Sequence, residues 1–200
     1  MTDWQMPALV MAIGYLLGSI PFGVVLTSLT GAGDLRKIGS GNIGATNVLR
    51  TGRKGLAAAT LILDAAKGAV AVLAGERLLP GAGAILAGVL AFIGHCYPIW
   101  LRFKGGKGVA TMLAVSAALH WPIGLVFATI WLVSFGLSRI SSVGGICAAL
   151  SAPIAALALG QAALFQPLAA MAAIVLWKHR PNIQRLLKGQ EPRVGSSRKA

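Results

Sequence analysis

Charged residues are scarce in this 200-residue chain, while apolar residues are abundant. Asp, Glu, Lys and Arg together make up 12% of the sequence and hydrophobic residues make up 56%, whereas a soluble domain carries about 25% charged residues. Half of the usual polar surface is therefore missing. Helices buried in a bilayer explain this composition better than an unusually large core, so the sequence argues against an ordinary soluble domain.

Acidic residues and cysteines are too few for several kinds of chemistry. The chain has five acidic residues and two cysteines; it contains no Cys-x2-Cys spacing, and no His-x4-Asp motif follows its histidines. These features argue against two-carboxylate hydrolysis, a carboxylate-rich Mg²⁺ site and a structural zinc site. We therefore expect no metal and no cofactor.

Basic residues dominate the charge, with 18 Lys and Arg against 5 Asp and Glu and a net charge of +13. In a soluble protein this excess would suggest nucleic acid as a partner. Here the basic residues are confined to loops and the C-terminus. We therefore expect anionic membrane lipid and phosphorylated substrates, and not nucleic acid, as the partners.

The fold class predicted from hydropathy is an all-α, polytopic transmembrane bundle. Seven apolar segments can be recognised, at residues 4–30, 56–79, 81–101, 109–119, 123–137, 143–159 and 162–177. Merging 109–137 and 143–177 gives five spans as the alternative. A helix over 143–177 would be about 52 Å long, whereas the hydrocarbon core is about 30 Å thick. Seven spans, two of them short, fit better.

The distribution of basic residues predicts the orientation. Sixteen of the 18 Lys and Arg fall in segments 31–55, 102–108, 138–142 and from 178 onward. Basic loops stay in the cytoplasm, so the N-terminus is expected outside and the C-terminus inside. The chain is expected to form a single integral-membrane domain, with residues 190–200 as a polar, disordered tail.

The first basic loop (residues 31–55) is rich in small polar residues and glycine. Six of its residues are candidates for binding phosphate: Ser40, Gly41, Asn42, Thr46, Asn47 and Arg50. Glycines let successive backbone amides approach an anion, and an arginine fork can clamp a phosphate. The alternative is an ordinary turn with capping residues, for which Ser, Asn and Gly are usual.

The second basic loop (residues 102–108) interleaves two lysines with three glycines: Lys104, Gly105, Gly106, Lys107 and Gly108. A helix follows at once, and this pattern is typical of a phosphate cradle at a helix N-terminus. The order of a Walker A motif is absent. The alternative is a basic turn that anchors the span to anionic lipid.

Three ionisable residues lie inside predicted spans. Asp64 and Lys67 are three residues apart on one helix, a spacing that predicts an intramembrane ion pair. His95 lies near the end of the third span, where it is either a site residue or satisfied by a backbone carbonyl. All three are candidates for lining the site.

The C-terminal segment 178–188 combines basic residues with an apolar stripe. His179 and Asn182 would share one face of a helix there, and Pro181 could occupy its first turn. An amphipathic interfacial helix is the alternative, but it does not require His179 or Asn182. His179 is the one plausible proton-transfer residue.

Four motifs together resemble the bacterial acyl-phosphate:glycerol-3-phosphate acyltransferases, the PlsY family: GSIPFG at 18–23, GSGNIGATNVLR at 39–50, GHCYP with FKGGKG within 94–108, and HRPNIQRLL at 179–187. The resemblance covers nearly the whole chain. It implies transfer of an acyl chain from acyl phosphate to the 1-hydroxyl of glycerol 3-phosphate, giving lysophosphatidic acid and phosphate. It also implies an enzyme of the bacterial cytoplasmic membrane whose active site faces the cytoplasm.

By this resemblance, Ser40, Arg50 and Lys107 contact phosphate, and His179 and Asn182 orient the glycerol hydroxyls. The remaining loop residues are implied to complete the pockets: Asn42, Thr46 and Asn47 in the first loop, and the amides of Gly105, Gly106 and Gly108 in the second. Two mechanisms stay open. His179 acts as a general base, or a substrate phosphate oxygen assists direct attack.

Two other classes of protein share some of these features. A transporter of phosphorylated anions would also aim broken helices at an anion, but here the polar residues cluster at one membrane face. A basic membrane anchor without chemistry would tolerate Lys107→Ala and Asn182→Ala if charge were restored elsewhere. Neither class explains the four motifs.

Overall fold

The structure, a computed structural model, describes residues 3–195 and contains no β-strand in that range. The predicted all-α class is confirmed. The chain divides into two compact units, residues 1–121 and residues 122–200, and each is described by itself. The expectation of a single domain stays a prediction.

The first unit contains six helices: α1 (Gln5–Gly18), α2 (Phe22–Leu29), the short α3 (Ala45–Val48), α4 (Lys54–Leu78), α5 (Gly83–Cys96) and α6 (Val109–Leu119). Helix α1 packs closely on α5 because both present small residues. A Cβ atom at Gly18 would lie 1.9 Å from the carbonyl oxygen of Ala91, and one at Gly14 would lie 2.4 Å from that of Ala87. Glycine at these positions therefore permits the close approach of the two helices.

Helices α1 and α2 form one candidate span that is interrupted at residues 19–21. Pro21 has no amide hydrogen and cannot continue the backbone ladder of α1. The Lys67 ammonium of α4 donates a 2.8 Å hydrogen bond to the carbonyl oxygen of Ile20 at this interruption. A buried charge of α4 therefore stabilises the break in the first span.

The second unit contains α7 (Trp121–Ser138, of which Trp121 precedes the unit boundary), α8 (Ser141–Ala158), α9 (Ala162–Lys178) and α10 (Arg180–Leu187). Helices α8 and α9 pack together, and α8 buries small residues, including Ala148 and Ala152. Helices α9 and α10 are bent by 60° at His179. The bend directs α10 away from the axis of α9.

The helices correct the predicted number of spans. Within residues 3–195, five helical segments are long and apolar enough to cross a membrane: Gln5–Leu29, Lys54–Leu78, Gly83–Leu101, Trp121–Ser138 and Ser141–Ala158. Counting the bent pair α9–α10 as one span gives six. Helix α6 has 11 residues, about 16 Å at 1.5 Å per residue, too short to cross alone. Five or six spans replace the predicted seven.

The merged spans of the five-span alternative are also wrong. His120, with φ −157° and ψ 104°, is extended and ends α6. Gly160, with φ 71°, lies in the left-handed region between α8 and α9. Neither 109–137 nor 143–177 is therefore one continuous helix. The orientation of the termini stays a prediction.

The start of the predicted disordered tail is docked on the second unit. The Glu191 carboxylate accepts hydrogen bonds from Ser142, Asn182 and Arg185. The Val194 amide donates a 2.8 Å hydrogen bond to the carbonyl oxygen of Arg139. The expectation of disorder for residues 190–200 stays a prediction. Within that segment, residues 196–200 lie outside the described residues.

Candidate functional site

A buried amide side chain holds the first basic loop together. Asn47 is 2% exposed, and its Nδ2 donates to the carbonyl oxygens of Leu35 at 3.0 Å and Ile38 at 2.9 Å. Its Oδ1 accepts from the Ser40 amide at 3.1 Å and the Ser40 hydroxyl at 3.3 Å. The Asn47 amide is fully used by these four contacts. The structure therefore gives Asn47 a structural role within the loop, and its phosphate contact stays a prediction.

The underside of the first loop is apolar and brings both basic loops to one end of the first unit. Leu35, Ile43 and Val48 are buried in one cluster with Ala57 of α4. Leu101, which immediately precedes the second basic loop, packs against this cluster. The two loops, separated in sequence by residues 56–101, are therefore neighbours in the fold.

The exposed side of the first loop carries the Arg50 guanidinium. Gly39 has φ 54°, and a Cβ atom there would lie 2.6 Å from Arg50 Nη1. The absence of a side chain at Gly39 thus gives the guanidinium room beside Ser40. Ser40, Thr46 and Arg50 are all exposed. The Arg50 guanidinium therefore lies beside Gly39, the residue before Ser40, and the common phosphate-binding role of Ser40 and Arg50 stays a prediction.

The backbone amides of this loop do not form the open nest that the glycines suggested. The Gly41 amide donates to the Ile38 carbonyl oxygen at 2.9 Å. The Gly44 amide donates to Asn42 Oδ1 at 2.9 Å, which makes Asn42 a local cap at the start of α3. The Ser40 amide donates to Asn47 Oδ1. The anion contact through the Gly41 amide stays a prediction, although that amide already has an acceptor within the loop.

The glycines of the second basic loop pack against the end of α5. The Gly105 amide donates to the Cys96 carbonyl oxygen at 3.2 Å, and the Gly106 amide donates to the His95 carbonyl oxygen at 3.0 Å. Both amides thus satisfy carbonyls that the end of α5 leaves open. The prediction that Gly105 and Gly106 donate to a phosphate is not supported.

Close approach explains why these positions are glycine. A Cβ atom at Gly105 would lie 2.2 Å from the His95 carbonyl oxygen, and one at Gly108 would lie 2.1 Å from the Phe92 ring. Gly108 also has φ 85° and immediately precedes α6. The loop therefore presents Lys104, which is exposed, and Lys107, which is half-buried, from a tightly packed backbone.

The three intramembrane ionisable residues form one buried cluster. Asp64 Oδ1 lies 2.8 Å from Lys67 Nζ and 3.5 Å from His95 Nδ1. All three side chains are at most 5% exposed. The predicted ion pair of Asp64 and Lys67 is confirmed, and His95 joins it. Because all three side chains are buried, the cluster lies beneath the loops and not on their exposed surface.

In the second unit, the predicted proton-transfer residue has a defined orientation. His179 is 3% exposed, and its Nδ1 lies 2.8 Å from the carbonyl oxygen of Val175. A carbonyl oxygen can only accept, so Nδ1 carries the hydrogen and Nε2 is the acceptor nitrogen of the neutral ring. This tautomer suits a group that accepts a hydrogen bond or a proton from a hydroxyl.

Asn182, the other predicted residue of this unit, is held by a carboxylate that the sequence analysis did not select. Its Nδ2 donates to Glu191 Oε1 at 2.5 Å, while Ser142 Oγ donates to the same oxygen at 2.7 Å. Arg185 Nε donates to Glu191 Oε2 at 2.6 Å. Because Ser142 and Glu191 are 49 residues apart, no local sequence pattern indicates their contact. Glu191 stood out only as one of five acidic residues in the chain.

The environment of Glu191 favours its charged form. Burial alone would raise the pKa of Glu191, but the hydrogen bonds from Asn182, Ser142 and Arg185 outweigh it and hold the pKa below its ordinary value. Glu191 is therefore an anion at neutral pH, and it accepts a hydrogen bond from the Asn182 amide nitrogen. The carboxylate acts as an orienting group for Asn182.

Comparisons with known proteins agree with one another. The family model described as glycerol-3-phosphate acyltransferase matches residues 8–189. The glycerol-3-phosphate acyltransferase of Novosphingobium aromaticivorans is 63% identical over 186 residues, which cover 93% of this chain and 94% of that protein. The one from Ruegeria sp. (strain TM1040) is 57% identical over 185 residues, covering 92% and 91%.

Two solved structures are similar to this one along most of their length. The crystal structure of PlsY (YgiH), an integral membrane glycerol 3-phosphate acyltransferase, in its glycerol 3-phosphate form has a TM-score of 0.89 and 36% identity, covering 94% of this chain and 96% of that chain. Its lysophosphatidic acid form has a TM-score of 0.87 and 35% identity, covering 94% and 95%.

Proposed function

Because this chain belongs to the glycerol-3-phosphate acyltransferase family, we propose that it transfers an acyl chain from acyl phosphate to the 1-hydroxyl of sn-glycerol 3-phosphate. The products are lysophosphatidic acid and inorganic phosphate. The observation that carries the proposal is the match of the whole fold, at a TM-score of 0.89, to a PlsY structure in its glycerol 3-phosphate form. The acyl-phosphate donor follows from the resemblance of the four motifs to that family.

The proposed reaction needs positioning more than a strong nucleophile. The 1-hydroxyl oxygen forms a bond to the acyl carbonyl carbon, and the bond from that carbon to the bridging phosphate oxygen breaks. The hydroxyl proton is lost, and phosphate leaves with the bridging oxygen. Because acyl phosphate is already activated, fixed positive charges near both phosphates can supply much of the catalysis. We propose no cofactor and no covalent acyl-enzyme.

The contacts assign different roles to the two kinds of loop residue. We assign phosphate binding to exposed or half-buried side chains: Ser40, Asn42, Thr46, Arg50, Lys104 and Lys107. Asn47 and the glycines shape the loops, since their polar groups are used internally or their positions exclude a side chain. Arginine and lysine suit this role because a charge-assisted hydrogen bond to phosphate is about twice as strong as a neutral one.

In the second unit, we assign orientation of the glycerol hydroxyls to His179 and Asn182. The acceptor nitrogen Nε2 of His179 suits both mechanisms left open by the sequence: it orients the 1-hydroxyl, or it takes its proton. His179→Ala separates them. A rate that falls without change in the shape of its pH profile supports orientation, with a substrate phosphate oxygen assisting attack. Loss of a deprotonation step from the profile supports the general base.

We further propose that the basic loops and the C-terminal segment face the cytoplasm of a bacterial inner membrane. The support is the placement of fifteen of the 18 Lys and Arg in the two basic loops and from residue 178 onward, as the positive-inside rule requires. Single cysteines at Lys37 and at Ala82, which lies between the second and third candidate spans, introduced into a variant with Cys96 and Cys147 replaced, would test it. Impermeant maleimide on intact cells should label residue 82 and spare residue 37.

The donor is tested with purified protein in detergent. Palmitoyl phosphate and labelled glycerol 3-phosphate should give lysophosphatidic acid and phosphate in equal amounts, whereas palmitoyl-CoA should give neither. Lys107→Met is the matched loss-of-charge variant and should be slower. Transfer from palmitoyl-CoA would contradict the donor assignment. Folded protein without transfer from either donor, but with uptake of glycerol 3-phosphate into vesicles, would favour the transporter.

A further inference from the structure

The buried cluster of Asp64, Lys67 and His95 is costly, and its retention requires a reason. An ionisable side chain inside a membrane is unfavourable unless it is paired, and a buried ion pair contributes little net stability compared with well-packed apolar residues. Asp64 and Lys67 could pair with each other without His95. His95 is therefore the informative residue, because it connects the ion pair of Asp64 and Lys67 to another part of the first unit.

His95 lies directly against the second basic loop. The Gly106 amide donates to the His95 carbonyl oxygen at 3.0 Å. A Cβ atom at Gly106 would lie 2.0 Å from His95 Nε2, 2.7 Å from Cε1 and 2.9 Å from Cδ2. The edge of the ring that carries Nε2 therefore faces Gly106, the residue immediately before Lys107. Any rotation of this ring would move into the loop backbone.

Asp64 lies at the other edge of the same ring. Its Oδ1 lies 3.5 Å from His95 Nδ1 and 2.8 Å from Lys67 Nζ. A carboxylate beside an imidazole favours the ring orientation that turns a nitrogen toward it. Here the opposite edge of that ring meets a loop backbone.

Two further hydrogen bonds anchor the cluster. Lys67 donates to the Ile20 carbonyl oxygen at the break between α1 and α2, at 2.8 Å. Thr111 Oγ1, in the first turn of α6, donates to the Asp64 carbonyl oxygen at 2.8 Å. The residues before and after the second loop are thus tied to the same turn of α4. This arrangement is suited to holding one residue of the loop in a fixed place.

We propose that Asp64, Lys67 and His95 form a positioning device for Lys107, in which the Nε2 edge of His95 supports Gly106 and thereby sets the direction of the lysine. The inference rests on the proposed role of Lys107 in binding a substrate phosphate. His95 is a positioning residue in this account, because it touches the loop backbone and not a substrate.

Two amide substitutions at His95 distinguish a positioning role from a role that only neutralises the charge of Asp64. His95→Asn keeps a polar group near Nδ1, toward Asp64, but removes the atoms that face Gly106. His95→Gln keeps a polar atom near the position of Nε2. Positioning predicts that His95→Asn loses about 10- to 100-fold in kcat/KM, since a misplacement of 1 Å can cost about 100-fold, and that His95→Gln retains more activity than His95→Asn.

A double-mutant cycle that combines His95→Asn with Lys107→Ala supplies the decisive readout. His95→Asn should raise the KM of whichever substrate is affected by Lys107→Ala, and the double variant should be no worse than Lys107→Ala alone, because residues that act as a unit are not additive. His120→Asn, the same change at the far end of α6, is the control and should match the parent. Thermal unfolding of every variant reports whether it folds.

The outcomes separate this inference from the proposed function. If the losses in kcat/KM of the two single variants multiply in the double variant, the positioning role alone is overturned. The same holds if His95→Asn is at least as active as His95→Gln. Lys107→Ala without effect on either KM overturns both the positioning role and the assignment of Lys107. Should His95→Asn fail to fold, Asp64→Asn enters the same cycle with Lys107→Ala, and multiplying losses there overturn the inference equally.

Discussion

The two basic loops of the first unit look alike in sequence but are held in shape by opposite means. The first depends on one buried side chain, Asn47, whose amide makes four hydrogen bonds to the loop. The second depends on the absence of side chains, because Gly105, Gly106 and Gly108 pack directly against the end of α5. A glycine-rich basic loop is therefore not necessarily a cradle of open amides.

This difference changes what glycine means in each loop. In the first loop, Gly39 and Gly41 have φ values of 54° and 68°, so glycine supplies a backbone conformation that other residues reach with strain. In the second, Gly105 supplies room for a carbonyl oxygen. In both, the result is a rigid backbone that presents cationic side chains. The loops should therefore fail in different ways when they are altered.

The largest effect is expected where a side chain is added to the second loop. Gly105→Ala would place Cβ 2.2 Å from the His95 carbonyl oxygen and 2.3 Å from Pro98 Cδ, and neither atom belongs to a flexible side chain. We expect kcat/KM to fall by about 100-fold or more, measured with palmitoyl phosphate. Gly55→Ala is the control, because nothing lies within 4 Å of its Cβ. Equal kcat/KM values for Gly105→Ala and Gly55→Ala would contradict the packing role of Gly105.

A smaller effect is expected where a side chain is removed from the first loop. Asn47→Ala leaves the Leu35 and Ile38 carbonyl oxygens without their donor, at about 1–3 kcal/mol for each buried group left unsatisfied. We expect a clear drop in the thermal unfolding temperature in detergent. Thr30→Ala, which removes an exposed hydrogen bond to the Leu26 carbonyl oxygen, should change it little. A parent-like temperature for Asn47→Ala would contradict the account of the first loop.

The conformational role of glycine in the first loop is tested at Gly41. Alanine in the left-handed region costs about 1–2 kcal/mol, whereas asparagine tolerates that region better. Gly41→Asn should therefore be more stable than Gly41→Ala in the same unfolding assay. The order should not hold at Gly105, where any side chain meets backbone. If Gly41→Ala were instead more stable than Gly41→Asn, the space available for a side chain, and not the value of φ, would determine stability at Gly41 as well.

The smallest effect concerns the acidic residue of the first loop. The side-chain and backbone hydrogen bonds from Arg36 lower the pKa of Asp34. Its stabilising contribution is therefore present above the ordinary aspartate pKa of about 3.9 and is lost as pH falls through the lower, folded pKa. Asp34→Asn should unfold slightly earlier than the parent at pH 7. The difference should vanish in acid, and a difference that grows in acid would contradict this sign.

The sequence predicted those features that depend on local patterns. The all-α class and the pairing of Asp64 with Lys67 follow from hydropathy and an i, i+3 spacing, and the structure confirms them. The preferred span count was wrong because it included residues 109–119, where the helix has 11 residues and is too short to cross the membrane alone. Hydropathy identifies an apolar segment but does not decide whether that segment crosses the membrane.

The internal contacts of the site were beyond the sequence for a different reason. Asn47 reaches carbonyl oxygens 9 and 12 residues away, and Ser142 reaches Glu191 across 49 residues. Neither separation has a periodic signature. Polar residues in a loop were therefore read as ligands, although Asn47 is a structural residue, and Glu191 was placed in a disordered tail, although it orients Asn182.

The central claim is that cationic side chains on two differently built loops, and not loop amides, hold the substrate phosphates. The most direct test measures KM for glycerol 3-phosphate and for palmitoyl phosphate in Arg50→Leu and Lys107→Met, with Lys37→Met as the control for an exposed cation. Loss of a hydrogen bond to a charged group is worth about 1.5–3 kcal/mol, so each site variant should raise one KM by about 10-fold or more, while the control leaves both unchanged. Unchanged KM values in both site variants would contradict the claim.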